Sequence, residues 1–209
     1  MSFFDPTPRD ARESGFAAFP SDGPPDNVLG GAVAFALVLA RTEDVAVLVH
    51  GGAAYPTGFH FSLAVRRRAG DEVFNPLGDS ILGGGPPSSP PDESLRFGLE
   101  FADGSMVTDR DEFPEEVAEG RPVLLPTGGT GSSLHYETYV WLSPLPPPGP
   151  MAFVCQWQAH GIALTRVELD ADVVRRAAEQ AIELWPIGPP SEGGYTSTVL
   201  RADKPESEK

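Results

Sequence analysis

The chain contains one cysteine, Cys155, so no disulfide can close within it. A basic N-terminal segment followed by an apolar stretch, the pattern of a secretory leader, is missing too, and a reducing cytoplasm is the expected compartment. Long apolar runs are also lacking: the longest, residues 32–40, falls far short of the roughly 20 residues that a spanning helix requires, so no membrane crossing is expected. Positive charge is scarce. Fifteen Lys and Arg stand against 30 Asp and Glu, a net charge of −15 that repels phosphate backbones and anionic headgroups. Nucleic acid and membrane surfaces are therefore not expected partners. Catalytic signatures are absent: no G-x-S-x-G elbow, no H-E-x-x-H and no paired C-x-x-C occurs.

What is abundant is turn chemistry. Glycine and proline contribute 23 residues each out of 209, more than a fifth of the chain, which favours many short elements joined by turns over long helices. The hydrophobic share of 40% suffices for one sizeable core, and all-β domains of this length are often undivided.

Alternation of apolar and polar residues is the main structural signal. Phe59, Phe61, Leu63 and Val65 fall on one side of a strand, with His60, Ser62, Ala64 and Arg66 on the other. Leu95, Phe97, Leu99 and Phe101 repeat the pattern, and Asp103-Gly104 then turns the chain into a second strand over 105–108. Residues 32–40 and 45–50, separated by Thr42-Glu43-Asp44, pair as another hairpin. Further strands are expected at 123–125, 134–142, 151–157 and 162–169. At Asp170 the period changes from two to 3.6: Val174, Ala177, Ala178, Ala181, Ile182 and Trp185 share one face of a helix over 171–185, with Asp170 or Asp172 as its N-cap and Pro186 as its stop.

The expected fold is mainly β, an antiparallel two-sheet β-sandwich with one C-terminal amphipathic α-helix closing its end. Residues 1–31, with five prolines and no sustained period, read as a Pro-rich N-terminal arm, 32–186 as the domain, and 187–209 as a flexible tail. The Gly- and Pro-rich stretch 75–92 reads as an irregular surface connection.

Each conspicuous motif has a bland reading and a chemical one. The segment 126–133 could cradle an anion on its glycine amides, but it lacks a lysine and precedes a strand, so it reads as a flexible connection. The histidines at 50, 60, 135 and 160 form no metal signature, and no metal or cofactor is expected. Cys155 alternates with Met151, Phe153 and Trp157 and reads as a small buried hydrophobe. Arg66-Arg67-Arg68 reads as a gatekeeper against edge pairing, or else as a small anion contact. The acidic stretch 109–119 lacks the pattern of a calcium loop and reads as solvated surface. The strand 134–142 is different, because His135, Glu137, Tyr139 and Trp141 make one side polar and aromatic while the other side is apolar. Such a strand either lies beneath another element, such as the C-terminal helix, or presents a binding face. These four are the candidate site residues.

At 54–59 (Ala-Tyr-Pro-Thr-Gly-Phe), 95–98 (Leu-Arg-Phe-Gly), 147–150 (Pro-Pro-Gly-Pro) and 165–170 (Thr-Arg-Val-Glu-Leu-Asp) the chain resembles a family of hypothetical bacterial proteins of high-GC, actinobacterial type. The likeness covers about 32–185 and implies domain limits only. No activity attaches to that family, so no site residue is carried over.

These features converge on a non-catalytic module that binds a protein partner or self-associates as a homo-oligomer. Two alternatives remain open. One is a small-molecule-binding or hydrolytic protein whose pocket lies between sandwich and helix and draws on His135, Glu137, Tyr139 and Trp141; the other is an accessory subunit that docks through its acidic stretch or Pro-rich termini.

Overall fold

A computed structural model describes residues 23–71, 75–77, 93–109 and 121–186. Alternation does become strand. Residues 45–55 and 58–67 form β4 (Val45–Tyr55) and β5 (Gly58–Arg67), joined by a two-residue turn at Pro56-Thr57 and paired antiparallel along nearly their whole length. The Thr42-Glu43-Asp44 turn brings β3 (Ala36–Arg41) back onto β4, with the Thr42 amide donating to the Val45 carbonyl at 2.8 Å. The Asp103-Gly104 turn joins β6 (Arg96–Glu100) to β7 (Met106–Thr108), and Gly104 there takes a φ of 81°, a left-handed conformation that glycine adopts without steric cost. Asp103 accepts hydrogen bonds from both the amide and the hydroxyl of Ser105, which hold its carboxyl below the usual carboxylate range.

The strands assemble into two main antiparallel sheets, with a third of two short strands beside them. In the larger, β3 and the short β2 (Gly31–Ala32) share one edge of β4, and the order continues through β5 and β9 (His135–Ser143) to β8 (Val123–Gly131) at the far edge. The smaller sheet runs β11 (Ile162–Asp170), β10 (Pro150–Trp157), β6, β7. Met151, Phe153, Cys155 and Trp157 of its strand β10 face the core as the sequence suggests, while Ala152 and Val154 are buried on the other side of the same strand. Phenylalanines join the two layers. Phe61 of the large sheet meets Phe153 edge-on at 5.5 Å and Phe97 at 6.1 Å, while Phe35 lies between Phe59 at 6.1 Å and Phe153 at 5.8 Å. The mainly β, two-layered arrangement expected from the alternation is the one observed.

One helix, α1 (Ala171–Ala178), closes the core: Ala171, Val174, Ala177 and Ala178 are buried in the same apolar cluster as the inward residues of both sheets. Asp170 is its N-cap, accepting from the Asp172 amide at 3.0 Å. The helix rests so closely on β2 that a side chain at Gly31 would collide with the Ala177 carbonyl oxygen.

Four expectations need correction. The helix ends at Ala178, not Trp185. Its last turn tightens, with Gln180 and Ala181 amides reaching the carbonyls three residues back. The chain then forms β12 (Ile182–Glu183), which pairs with β1 (Val28–Leu29). Backbone pairing with β1 outcompetes another helical turn, because the Leu184 amide also donates to the Asn27 carbonyl and the Asn27 side chain to the Trp185 carbonyl. Secondly, the strand expected at 123–125 continues to Gly131, so most of the Gly-rich segment is an edge strand rather than a loose connection. Pro126 is tolerated because its missing amide lies at the edge, and a bulge between Pro126 and Gly128 absorbs the irregularity. Thirdly, Arg66 to Arg68 cannot guard an edge, since β5 is hydrogen-bonded on both sides. Arg66 instead donates to Glu137, and the Arg67 Nε to the Ser133 carbonyl. Fourthly, the part of 75–92 that is described is no surface connection: Leu77 is fully buried in the core, and the Leu95 amide donates to the Pro76 carbonyl.

Of the expected arm, 23–31 are described and include β1 and part of β2; the rest of the arm, the tail 187–209 and all of the acidic stretch beyond Asp109 lie outside the described residues. No described helix is long and apolar enough to cross a membrane.

Candidate functional site

Residue parity decides which side chains meet on the outer face of the large sheet. On β9, Val140 and Leu142 point into the sandwich, so Glu137, Tyr139 and Trp141 point away from it. Register then adds neighbours. Glu137 pairs with Ala64, Tyr139 with Ser62 and Trp141 with His60 on β5, while Ser62 in turn pairs with His50 on β4 and Arg66 with Ala46. Residues 50, 60, 66, 137, 139 and 141 therefore share one surface across three strands.

Glu137 is its centre. One carboxylate oxygen lies 3.3 Å from His50 Nε2, and the other accepts from the Arg66 guanidinium at 3.1 Å. The Glu137 side chain is only 16% exposed, whereas His50 and Arg66 are 40% and 44% exposed. Alanine at 64 and serine at 62 are small enough to let these longer side chains lie across the sheet, which leaves the carboxylate clamped and its two partners facing water.

His60 occupies the next position along β5. Its Nε2 lies 2.9 Å from the Thr127 hydroxyl of β8, whose oxygen also approaches the Tyr139 carbonyl at 3.3 Å, and the His60 and Tyr139 rings are 6.0 Å apart. Half-burial pushes the His60 pKa below the ordinary histidine value, because desolvation disfavours the imidazolium. Tyr139 stays 37% exposed.

Trp141 is wholly buried on this same side, against an edge-on Tyr55 ring at 5.5 Å and beneath Gly58, where any side chain would strike the indole. Its indole nitrogen has no hydrogen-bond acceptor among the described residues. A buried donor without an acceptor costs on the order of 1–3 kcal/mol, which the packing of a large ring offsets.

Of the four residues expected from the sequence, three belong to this cluster and one is drawn aside. The Nδ1 of His135 lies 2.8 Å from the Ser132 hydroxyl, and that hydroxyl also accepts from the Leu134 and His135 amides. His135 thus completes the turn entering β9. The helix is not the cover of this face: α1 buries its apolar side in the cluster containing Val140 and Leu142, on the opposite side of β9. No pocket between helix and sandwich can draw on Glu137, Tyr139 and Trp141.

Sequence reading missed His50, His60, Arg66 and Thr127 as members. His60 and Arg66 lie on the polar side of β5, so their outward placement was legible, but the convergence of all four with Glu137 and Tyr139 depends on β5 pairing with a strand 71 residues away. Among the described residues no three His, Cys, Asp or Glu are grouped so as to hold a metal ion. Cys155 is fully buried, and burial pushes its thiol up to about 12. Comparison with known proteins yields no match: no family model, curated protein or solved structure is similar to the chain.

Proposed function

We propose that the protein is a non-catalytic interaction module whose recognition surface is the outer face of the large sheet. The observation that carries this reading is the clamped Glu137 with its half-exposed partners His50 and Arg66, set beside exposed Tyr139 on a sheet face that no described element covers. Arginine and tyrosine are enriched among the residues that dominate binding energy at protein interfaces, since they combine a large contact area with directional hydrogen-bond donors. Glu137 fixes Arg66 in place before any partner arrives, which lowers the ordering cost of association.

Catalysis has less support. His60 is half-buried and bonded to Thr127, and both carboxylate oxygens of Glu137 are already engaged, one by the His50 ring and the other by the Arg66 guanidinium, which leaves neither free to face a substrate.

Light scattering on the purified chain and affinity capture from native lysate test the proposal together. The expected result is a homo-oligomer or a captured partner whose association is lost in Tyr139→Ala. A hot-spot tyrosine of this kind carries about 2 kcal/mol or more, roughly a thirtyfold change in affinity. A strict monomer that captures nothing, or association unchanged by the substitution, overturns it.

A further inference from the structure

The charge of this face runs against that of the molecule. The whole chain carries −15, yet the outward-facing residues of β3, β4, β5, β8 and β9 include two arginines, Arg41 and Arg66, and only one carboxylate, Glu137. That carboxylate is already engaged by Arg66 and His50. Arg41 is exposed, pairs with Ala46 in the sheet, and has no ion-pair partner among the described residues. His50, His60 and His135 stand on the same face, and no lysine, aspartate or further glutamate of these five strands joins them. At the rim, in the β3–β4 turn, Glu43 lies 3.9 Å from Arg68 and Asp44 is exposed. The outward side of the small sheet is balanced the other way, with Glu100, Glu168 and Asp170 against Arg96 and Arg166.

We infer that the partner of this face is an acidic peptide segment of another protein, laid across β3, β4 and β5 so that its carboxylates reach Arg41 and Arg66 while its backbone or side chains contact Tyr139. The inference rests on the function proposed above and adds the chemistry of the partner. Charge complementarity selects it: an acidic segment gains two half-exposed or exposed guanidiniums, whereas a basic segment meets a carboxylate that is nearly buried and doubly bonded. Arginine rather than lysine suits the task, since its planar fork receives a carboxylate through two parallel hydrogen bonds. At ordinary ionic strength the Debye length is about 8 Å, so the contact is governed by these local charges more than by the distant remainder of the chain.

The test is fluorescence anisotropy of a labelled oligoglutamate peptide titrated with the full chain, beside an oligolysine peptide of equal length. Oligoglutamate is expected to bind and oligolysine not. Raising salt from 50 to 300 mM weakens binding about tenfold, because half-exposed ion pairs are screened. Arg41→Glu and Val38→Glu, both at exposed edge positions with no ion pair to disturb, each weaken binding about tenfold or more, while Leu164→Glu on β11 of the other sheet leaves it within about twofold. Equal binding of both peptides, no binding of oligoglutamate by a folded chain, or insensitivity to Arg41→Glu overturns the inference. So does a dimer that Val38→Glu splits into monomers, since the occupant is then a second copy. In these cases association that Tyr139→Ala still abolishes leaves the proposed function standing with another partner; loss of that dependence removes both.

Discussion

Phe153→Ala is the sharpest probe of how the two sheets are held. Phe153 lies on the central strand of the small sheet, is fully buried, and touches Phe35, Phe61 and Phe97 at centroid distances of 5.8, 5.5 and 6.3 Å. Truncation removes three ring contacts at once and leaves a cavity bounded by both sheets, which neither can fill by relaxing alone. A buried Phe→Ala change costs about 3–5 kcal/mol, and the upper part of that range is expected here because each aromatic pair adds about 0.5–1.5 kcal/mol beyond area burial. Against a total stability of about 5–15 kcal/mol, this is a large share. Urea unfolding followed by near-ultraviolet circular dichroism reads it as a midpoint lowered by about 2 M at an m of about 2 kcal/mol/M. Phe153→Leu keeps most of the volume and costs about 1.5 kcal/mol. Exposed Val38→Ala is the control and stays within about 0.5 kcal/mol. A Phe153→Ala loss below about 1 kcal/mol at unchanged m would refute the placement of this ring between the layers.

Three further outcomes follow from the geometry. A double-mutant cycle on Arg66 and Glu137 gives a coupling of about 0.5–1 kcal/mol, held to that size by the 44% exposure of the arginine and reduced by salt; zero coupling in a stability measurement contradicts the clamp. For His60, the folded pKa lies below the ordinary 6.5, so the unfolded chain takes up the proton first as pH falls. Stability contributed by the neutral ring is complete above the unfolded value, declines as pH falls below it, and stops declining beneath the lowered folded value. His60→Gln therefore flattens the fall in urea midpoint between pH 7.5 and 5, and leaves a residue of it from His160, whose pKa is lowered in the same direction; an unaltered profile is the contrary result. Cys155 reacts with a thiol reagent at pH 8 only after denaturation, and rapid labelling of the native chain is inconsistent with its burial.

Sequence periodicity was a good guide wherever a strand has one wet face and one dry one. Residues 95–108 were legible for that reason, as was the division of 134–142 into an apolar and a polar side; 59–65 and 151–157 were legible by which residues face the core, although Ser62, Ala64, Ala152 and Val154 on their other side are buried as well. It failed where tertiary pairing overrides local preference. Ile182 and Trp185 fit the helical face of α1 by spacing, yet both are exposed, because backbone bonds to β1 and Asn27 draw the chain out of the helix. Pro126 and the glycines after it carry turn chemistry, yet they form an edge strand that β9 holds in place. Arg66 appeared to end an edge strand because a single sequence gives no strand order, and the central position of β5 follows only from pairings with β4 and β9. The candidate site shows the same limit. Outwardness was readable residue by residue, while the meeting of His50, Arg66 and Glu137 depends on pairings between residues far apart in the chain.

The claim that the outer face of the large sheet is the recognition surface is tested most directly by placing a photo-crosslinking phenylalanine analogue at Tyr139, and separately at Leu164 of β11, and irradiating each full-length protein in native lysate. Both positions are exposed, at 37% and 49%, and they lie on opposite sheets. Adducts formed at position 139 and suppressed by Arg41→Glu, with few at position 164, are the expected result; equal labelling at the two positions, or labelling at 164 alone, would contradict it.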